Sequence, residues 1–469
     1  MDYQRMNPFR VGIIGGGIAG ATVAMHLAEQ GLNVTLFEAG ESLVNGPPVC
    51  HLHAGGNLYR EISDEQCLTL LEQSVATLRQ FPHCANVRPT VIAVPVSDPG
   101  SPDALAPRLA LLEQAYAELI AKDPSNKVMG EAKDYYRFYT RPEMEALQRR
   151  QRVEVPQQPD DWMIPFAQTI DLDKLKFPIV LVQEYGLSVF RMASTAELLL
   201  AEAPRADVQL NTKVIGLHEQ EDSWQVETNK GTQTVDFIIN ACGYQTGTID
   251  NMIGAARDRM VEYKAAFVSH WPAGSGYWPE IIIHGERGTP QGMAQFTPYA
   301  DGYFQLHGMT EDITLFKTGL VSSSRSDAQP RLAQGFEEKI AHRWPPSEQR
   351  ERTERAITHF GQYMPSFNSA EYAGQPLCGA QQIPGDDPTL RAADISFEGK
   401  RYARAEIVKA SSALTVAEAL LSHLKSSSLL MHTNPVALPQ PDAKKVEERA
   451  MALAMDRGYP ASLAKVYSA

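Results

Sequence analysis

The segment from Arg10 to Glu38, RVGIIGGGIAGATVAMHLAEQGLNVTLFE, constrains the fold more than any other part of the 469-residue chain. Its first apolar run, with β-branched residues at Val11, Ile13 and Ile14, predicts a buried strand of a parallel sheet. A helix is expected from about Ile18 to Gln30, and a second strand follows at Asn33–Phe37. This strand–helix–strand order predicts an α/β fold with a parallel sheet.

Three glycines between the first strand and the helix have the spacing G-x-G-x-x-G. Gly15 permits the tight turn, Gly17 lets the backbone approach a pyrophosphate, and Gly20 lets the helix pack closely on the strand. Glu38 ends the second strand eighteen residues after Gly20, where an acid can accept hydrogen bonds from ribose hydroxyls. The segment therefore predicts a dinucleotide site, with NAD and FAD both open as ligands and a nucleotide-free sheet as the alternative.

Composition excludes several other classes of protein. A net charge of −13 argues against a nucleic-acid partner, since phosphate backbones need a basic surface. The five cysteines lack C-x-x-C spacing, which argues against a zinc site or a disulfide framework. The sequence has no signal-peptide pattern and no apolar run long enough to span a membrane, so we expect a cytoplasmic protein, with peripheral membrane attachment as an alternative.

Two later segments are expected to add strands to the same parallel sheet. A strand at Val235–Asn240 ends in Ala241-Cys242-Gly243, and a strand at Ala405–Val408 runs into small residues and a helix that reaches about Leu424. Such late returns are typical of FAD domains, and a single-domain NAD enzyme does not need them. They favour FAD as the dinucleotide.

The segments between these returns predict a second structural unit. Strand-like runs within residues 253–372 indicate an antiparallel sheet that can form the floor of a pocket. We expect a division into FAD-binding parts at 1–97, 185–252 and 375–433, substrate-domain parts at 98–184 and 253–374, and a helical appendage at 434–469.

With these motifs placed, residues 9 to 430 resemble the FAD-dependent oxidoreductases of the D-amino-acid oxidase superfamily. The loop Leu52–Gly56 resembles the isoalloxazine-side loop of that family, Gly379–Arg391 resembles its penultimate motif, and Ala410–Ala417 its final loop and helix. The resemblance implies a Rossmann-like FAD-binding domain interleaved with an antiparallel-sheet α+β substrate domain. It implies FAD contacts at these residues: Gly15, Gly17, Ile18, Ala19, Gly20, Glu38, Ala39, His53, Ala54, Gly55, Val214, Ala241, Gly243, Ala410, Ser411, Ser412, Ala413 and Leu414.

The sequence departs from the family pattern at two places. Many amino-acid oxidases carry a carboxylate-binding arginine two residues after the glycine of the penultimate motif, and this chain has Gln381 there. The final loop is usually glycine-rich, and here it reads Ala-Ser-Ser-Ala. Arg191 and Arg391 are candidate replacements for the missing arginine.

Histidines and lysines supply the catalytic candidates. In related dehydrogenases a histidine matching His53 is bonded covalently to the flavin, and His53 is equally open to a noncovalent or a structural role. His307, with His51 and His284 as rivals, could act as a base near neutral pH. Lys264 and Lys409 could place positive charge near the reduced flavin. For each side chain a structural or solvated role is the alternative.

The resemblance implies oxidation of a C–N or C–O bond in a small amine, amino acid or 2-hydroxy acid by hydride transfer to flavin N5. The electron acceptor could be oxygen, a quinone or another protein. The alternative is an FAD-binding subunit or degenerate flavoprotein without turnover of its own, which Gln381 and the altered final loop motivate.

Overall fold

The computed structural model describes residues 9–45, 52–54, 60, 62–393 and 395–467, and for 52–54 it describes the backbone alone. Within these residues the protein is a mixed α/β structure. The α-helices are α1 (Ile18–Glu29), α2 (Asp64–Gln80), α3 (Ala106–Lys122), α4 (Arg141–Gln148), α5 (Pro159–Thr169), α6 (Val189–Glu202), α7 (Thr246–Met252), α8 (Gln334–Ala341), α9 (Pro346–Gly361), α10 (Ala413–Ser426) and α11 (Ala443–Asp456).

The strands in the described part of the chain form four sheets. In chain order they are β1 (Arg10–Ile14), β2 (Asn33–Phe37), β3 (Leu52–Ala54), β4 (Ala85–Asn86), β5 (Thr90–Ala93), β6 (Tyr136–Tyr139), β7 (Ile179–Val182), β8 (Tyr185–Leu187), β9 (Ala206–Gln209), β10 (Val214–Glu219), β11 (Trp224–Thr228), β12 (Gly231–Val235), β13 (Phe237–Asn240), β14 (Arg259–His270), β15 (Glu280–Ile283), β16 (Ala294–Pro298), β17 (Tyr303–Gly308), β18 (Leu320–Ser322), β19 (Glu371–Tyr372), β20 (Leu377–Pro384), β21 (Ile395–Glu398) and β22 (Tyr402–Ala405).

The first sheet has the order β21-β22-β13-β1-β2-β9, and every neighbouring pair except β21–β22 is parallel. The predicted strand–helix–strand unit is present, with α1 and β2 within one residue of the expected bounds. The parallel strands place their carboxyl ends at one edge, where Rossmann-like sheets bind ligands.

The last strand of this sheet corrects one expectation. We expect a strand at Ala405–Val408, but β22 lies at Tyr402–Ala405 and pairs with β13. The parallel pairing with β13 runs from Ile238↔Tyr402 to Asn240↔Arg404, and the buried ion pair of Arg404 with Asp250 compensates the charge that this strand carries.

The large sheet has the order β18-β14-β17-β16-β15-β5-β7-β6, with β19 and β20 also paired to β14. Its membership corrects two expected boundaries, because β5 lies before residue 97 and β20 lies after residue 374, yet both belong to this sheet. The long alignment of β20 along β14, from Arg259↔Pro384 to Ala266↔Leu377, overrides the sequence motif that placed 375–384 with the FAD-binding part. The rest of the expected division stays a prediction.

The two faces of the large sheet differ in chemistry. One face contributes Phe267, Phe296 and Leu306 to an apolar core that also contains residues of α5 and α9. Because side chains alternate along a strand, the other face of β14 carries Glu262 and Lys264, both buried. His307 and Gln295 are cross-strand partners and are buried as well. Buried polar groups of this kind need specific partners, so this face is a candidate functional surface.

An ionic network joins the parallel sheet to the large sheet. Asp250 of α7 accepts from Arg404 of β22 at 2.7 Å and from Arg259 of β14 at 2.5 Å. Glu406 lies 3.5 Å from Arg259, and Tyr402 donates its hydroxyl to Asp250 at 2.8 Å. All five side chains are buried, so each charge relies on the others for compensation.

Among the described residues no helix is long and apolar enough to cross a membrane.

We predict that Asp250→Asn lowers the free energy of unfolding by about 3–5 kcal/mol, because it leaves two buried arginines with too little negative charge. Urea unfolding measures the change. The control is Asp222→Asn, since Asp222 is exposed and pairs with Arg401 at 2.9 Å, and an exposed pair contributes about 0–1 kcal/mol. Equal small losses in the two variants would show that the network is not a stabilising junction.

Candidate functional site

The glycine turn after β1 has the geometry that its sequence predicts. Gly15 has a φ of +97°, which other residues rarely adopt, and a Cβ at Gly20 would lie 1.9 Å from the carbonyl oxygen of Gly15. A Cβ at Gly17, by contrast, meets no atom within 4 Å. Gly15 and Gly20 therefore make the turn and the helix contact, whereas Gly17 leaves open space above the turn.

That open space belongs to a cavity of about 740 Å³. The predicted cofactor residues that line it are Gly15, Gly17, Ile18, Ala19, Glu38, Ala39, Val214, Ala241, Gly243 and Ala410. Segments far apart in the chain thus meet around one space at the carboxyl end of the parallel sheet.

Glu38 stands at the end of β2 with both carboxylate oxygens engaged. The backbone amides of Gly16 and Gly40 each donate to it at 2.6 Å. These bonds fix the carboxylate at the cavity wall, and each oxygen keeps lone-pair capacity for a hydroxyl donor. The position suits an adenosine ribose.

The segment Ala241–Gly243, which follows β13, forms the cavity wall beside the glycine turn. The amide of Ala241 donates to the carbonyl of Ile14 at 2.8 Å, which places the segment against the glycine turn. Gly243 has a φ of +56° and faces open space. Burial raises the pKa of the Cys242 thiol well above its usual value, and Glu38 adds to this effect, so a thiolate at this wall is disfavoured.

The final loop contributes less to the cavity than expected. Lys409 and Ala410 line it, but Ser411, Ser412, Ala413 and Leu414 are not among its lining residues. The hydroxyl of Ser412 donates to Gln73 of α2 at 2.7 Å, and the carbonyl of Ser411 accepts from the hydroxyl of Thr77 at 3.2 Å. The two serines therefore anchor the loop to α2.

The large sheet closes the other side of the cavity through Glu262, Lys264 and Gln381. Glu262 is the cross-strand partner of Gln381, and its carboxylate lies 2.8 Å from the Lys264 ammonium. Burial opposes ionisation of Glu262, but Lys264 and Arg287 outweigh burial and hold its pKa below the ordinary value. The wall therefore carries an ionised carboxylate between two cations.

The histidine candidates lie in different places. His307 is buried on β17, with Nδ1 3.4 Å from the Thr314 hydroxyl, and is not among the residues that line the cavity. Burial, with a smaller contribution from Arg60, lowers the pKa of His284 to about 4, so its imidazole is neutral at neutral pH. The backbone of His53 pairs with Gly186, and its side chain lies outside the described residues, as do His51 and Gly55.

Neither arginine proposed as a carboxylate clamp lines the cavity. The Arg191 guanidinium donates to the backbone carbonyls of His83, Ala85 and Ala464, at 2.8, 2.8 and 3.1 Å. Arg391 donates to the carbonyls of Pro388 and Leu390. Arg191 is buried and holds chain segments together, so its expected role as a clamp is wrong.

Sequence reasoning missed several of the charged residues that line the cavity, namely Glu262, Lys213, Lys339, Arg343 and Arg457. Six lysine or arginine side chains and two glutamates line the cavity: Lys213, Lys264, Lys339, Arg343, Lys409 and Arg457, with Glu38 and Glu262. A basic lining in a protein with a net charge of −13 suits an anionic ligand. The alternation of charged and aromatic residues in Glu262-Tyr263-Lys264 indicates a strand with Glu262 and Lys264 on one face. Tyr263 packs on the opposite face, against Phe336. Arg343 and Arg457 had no such signal.

A sequence model of the family described as DAO, FAD dependent oxidoreductase, matches residues 10–392. The chain belongs to this family. It is an FAD-dependent oxidoreductase, and the cofactor and the resemblance expected from the sequence are confirmed. Curated protein sequences include no match to this chain.

Solved structures with a similar fold include several oxidases and dehydrogenases. Glycine oxidase from Geobacillus kaustophilus has a TM-score of 0.56 at 13% identity, covering 92% of this chain and 100% of its own. L-alpha-glycerophosphate oxidase from Mycoplasma pneumoniae, determined with FAD bound, has a TM-score of 0.57 at 14% identity. The match covers 90% of this chain and 95% of the oxidase. L-proline dehydrogenase from P. horikoshii has a TM-score of 0.54 at 14% identity, and the match covers 94% of this chain and 98% of the dehydrogenase. At these identities the likeness shows the fold alone.

The residues around the cavity fit FAD. Gly17 leaves room for a pyrophosphate at the amino end of α1, whose first amides are free of intrahelical partners. Glu38 can accept from ribose hydroxyls, and the basic lining can offset the phosphate charge.

We predict opposite effects for side chains added at two glycines of the motif. Gly17→Val should leave the stability of the apoprotein nearly unchanged and weaken FAD binding at least about tenfold, because the added atoms occupy the cavity above the turn. Gly20→Ala should destabilise the apoprotein, because its methyl group overlaps the carbonyl of Gly15. FAD titration and thermal unfolding of the apoproteins separate the two effects, and an unchanged FAD affinity in Gly17→Val would contradict the assignment.

Proposed function

We propose that this protein oxidises a C–N or C–O bond of a small amine, amino acid or 2-hydroxy acid, with hydride transfer to flavin N5. The observation that supports the proposal most is the shared cavity. It runs from Glu38 and Gly17, at the dinucleotide motif, to Lys264 and Gln381 on the large sheet. A substrate placed between the cofactor and this polar wall would be held by strands, which position groups more rigidly than loops.

Bound FAD would supply the electron acceptor for the hydride. We propose that Lys264 offsets the negative charge that develops on reduction, since a preformed cation in a buried site costs no reorganisation. Glu262 would hold the Lys264 ammonium in place through its 2.8 Å contact. The role of His307 as a base stays a prediction, since His307 does not line the cavity, and covalent attachment through His53 stays a prediction as well.

Two observations support the proposed substrate class, the chemistry of the wall and the names of the fold relatives. The similar structures are named as enzymes of glycine, proline and glycerophosphate, which covers both C–N and C–O substrates. Gln381 can donate and accept neutral hydrogen bonds but cannot form a bidentate ion pair with a carboxylate. Recognition of an acidic substrate would then fall to the lysines of the cavity. The final electron acceptor would be oxygen, a quinone or another protein.

The first test is an anaerobic screen of flavin bleaching with amino acids, N-methyl amino acids and 2-hydroxy acids. We expect the visible absorbance of the oxidised flavin to disappear with at least one class of compound and to stay unchanged with the others. Loss of colour with any substrate excludes the alternative, a flavoprotein subunit without turnover. A bound flavin that no member of the panel reduces would favour that alternative instead.

We predict that Lys264→Met slows flavin reduction by the identified substrate at least about tenfold, because a cation near the developing charge is lost. Stopped-flow absorbance under anaerobic conditions measures the rate. The control is Lys174→Met, since the Lys174 ammonium lies outside the cavity and donates to the carbonyl of Gln362 at 2.6 Å. Equal reduction rates in the Lys264 variant and the parent protein would remove Lys264 from the mechanism.

A further inference from the structure

The C-terminal segment 443–467 lies outside the region that the family model matches, yet two of its residues, Arg457 and Tyr459, line the cavity. Helix α11 of this segment contributes Leu453 to the apolar core of the first sheet. Arg449 of α11 also pairs with Glu197 of α6 at 2.8 Å. The segment is therefore docked on the body of the protein, and one end of it reaches the cofactor cavity.

The Arg457 guanidinium holds the loop that follows β2. It donates to the carbonyls of Leu43 and Val44, at 2.8 and 3.0 Å, and to the hydroxyl of Ser42 at 3.1 Å. Val44 also lines the cavity. Because the guanidinium makes a fork of donors with fixed geometry, one side chain can fix three successive residues of this loop.

The loop that Arg457 holds is strained. Val44 has a φ of +52°, a left-handed conformation that is an outlier for a β-branched residue. Such a conformation is energetically unfavourable and persists only where the surroundings impose it. The amide of Val44 donates to the carbonyl of Gly16 at 2.7 Å, so the strained residue is tied directly to the glycine turn. Arg457 also binds Val44, through its carbonyl oxygen.

The neighbouring residues of the segment reach the other wall of the cavity. The side-chain amide of Gln375 donates to the carbonyl of Arg457 at 2.5 Å, and the hydroxyl of Tyr459 donates to the carbonyl of Pro376 at 3.3 Å. Gln375 and Pro376 line the cavity and lead into β20, the strand that carries Gln381. Residues 457–459 thus connect the loop beside the glycine turn to the strand at the substrate wall.

We propose that Arg457 is a positioning residue for FAD, and that the C-terminal segment fastens the Ser42–Val44 loop over the cavity and so slows release of the cofactor. Arg457 keeps the strained loop in the conformation that closes the cavity beside the glycine turn. The proposal depends on the FAD dependence of the family and is independent of the substrate class. Its test is therefore separate from the substrate screen.

The test is the rate of FAD release from the purified holoprotein, followed by the rise of flavin fluorescence after dilution. We expect Arg457→Ala to release FAD at least about tenfold faster than the parent protein, since the loop loses its three charge-assisted hydrogen bonds. Arg457→Lys keeps the charge and part of the donor set, and it should restore slow release to within about threefold. Should the alanine variant not fold, Arg457→Gln takes its place under the same thresholds.

The matched control is Lys465→Ala. Lys465 belongs to the same segment and pairs with Asp301 at 2.6 Å, but it does not line the cavity. We expect this control to release FAD at a rate within about twofold of the rate of the parent protein. Acceleration below about threefold in the Arg457 variant, or equal acceleration in the two variants, overturns the proposal, because the segment would then act by general docking or not at all.

Discussion

The close contact between Gly20 and Gly15 sets the position of the glycine turn and of the cavity above it. The first turn of α1 lies so close to the end of β1 that a Cβ at Gly20 would overlap the carbonyl of Gly15. This contact aims the amino end of the helix at the space above Gly17, and it lets Ala241 of the second return pack beside the turn. Because Gly15, Gly17 and Gly20 have no side chains, the turn, the helix and the cavity can take these positions.

The cavity becomes an active-site candidate only because a second sheet closes it. The buried network around Asp250 ties β14 of that sheet to β22 of the parallel sheet. The wall of β14 and β20 then faces the turn with Glu262, Lys264 and Gln381. The C-terminal segment completes the enclosure through Arg457, which joins the loop after β2 to the start of β20. Rigid junctions on several sides suit a reaction that needs a fixed distance between substrate and cofactor.

The sequence predicts the parallel sheet, the glycine turn and the cofactor well because these depend on local patterns. Gly15, Gly17 and Glu38 take the places their spacing indicates. The prediction fails where distant pairing decides the outcome. The strand at 377–384 belongs to the large sheet because of its pairing with β14, and Arg404 is buried because Asp250 meets it from another part of the chain. Arg457 could not be foreseen either, since only the fold brings residue 457 to residue 44.

A crystal structure of the protein with FAD bound would test most directly whether the cavity holds the cofactor between the two sheets. We expect the adenosine at Glu38, the pyrophosphate above Gly17, and the isoalloxazine ring against the wall formed by Lys264 and Gln381. A flavin ring that lies away from this wall, with the adenosine still at Glu38, would contradict the assignment of the large sheet as the substrate side of the site.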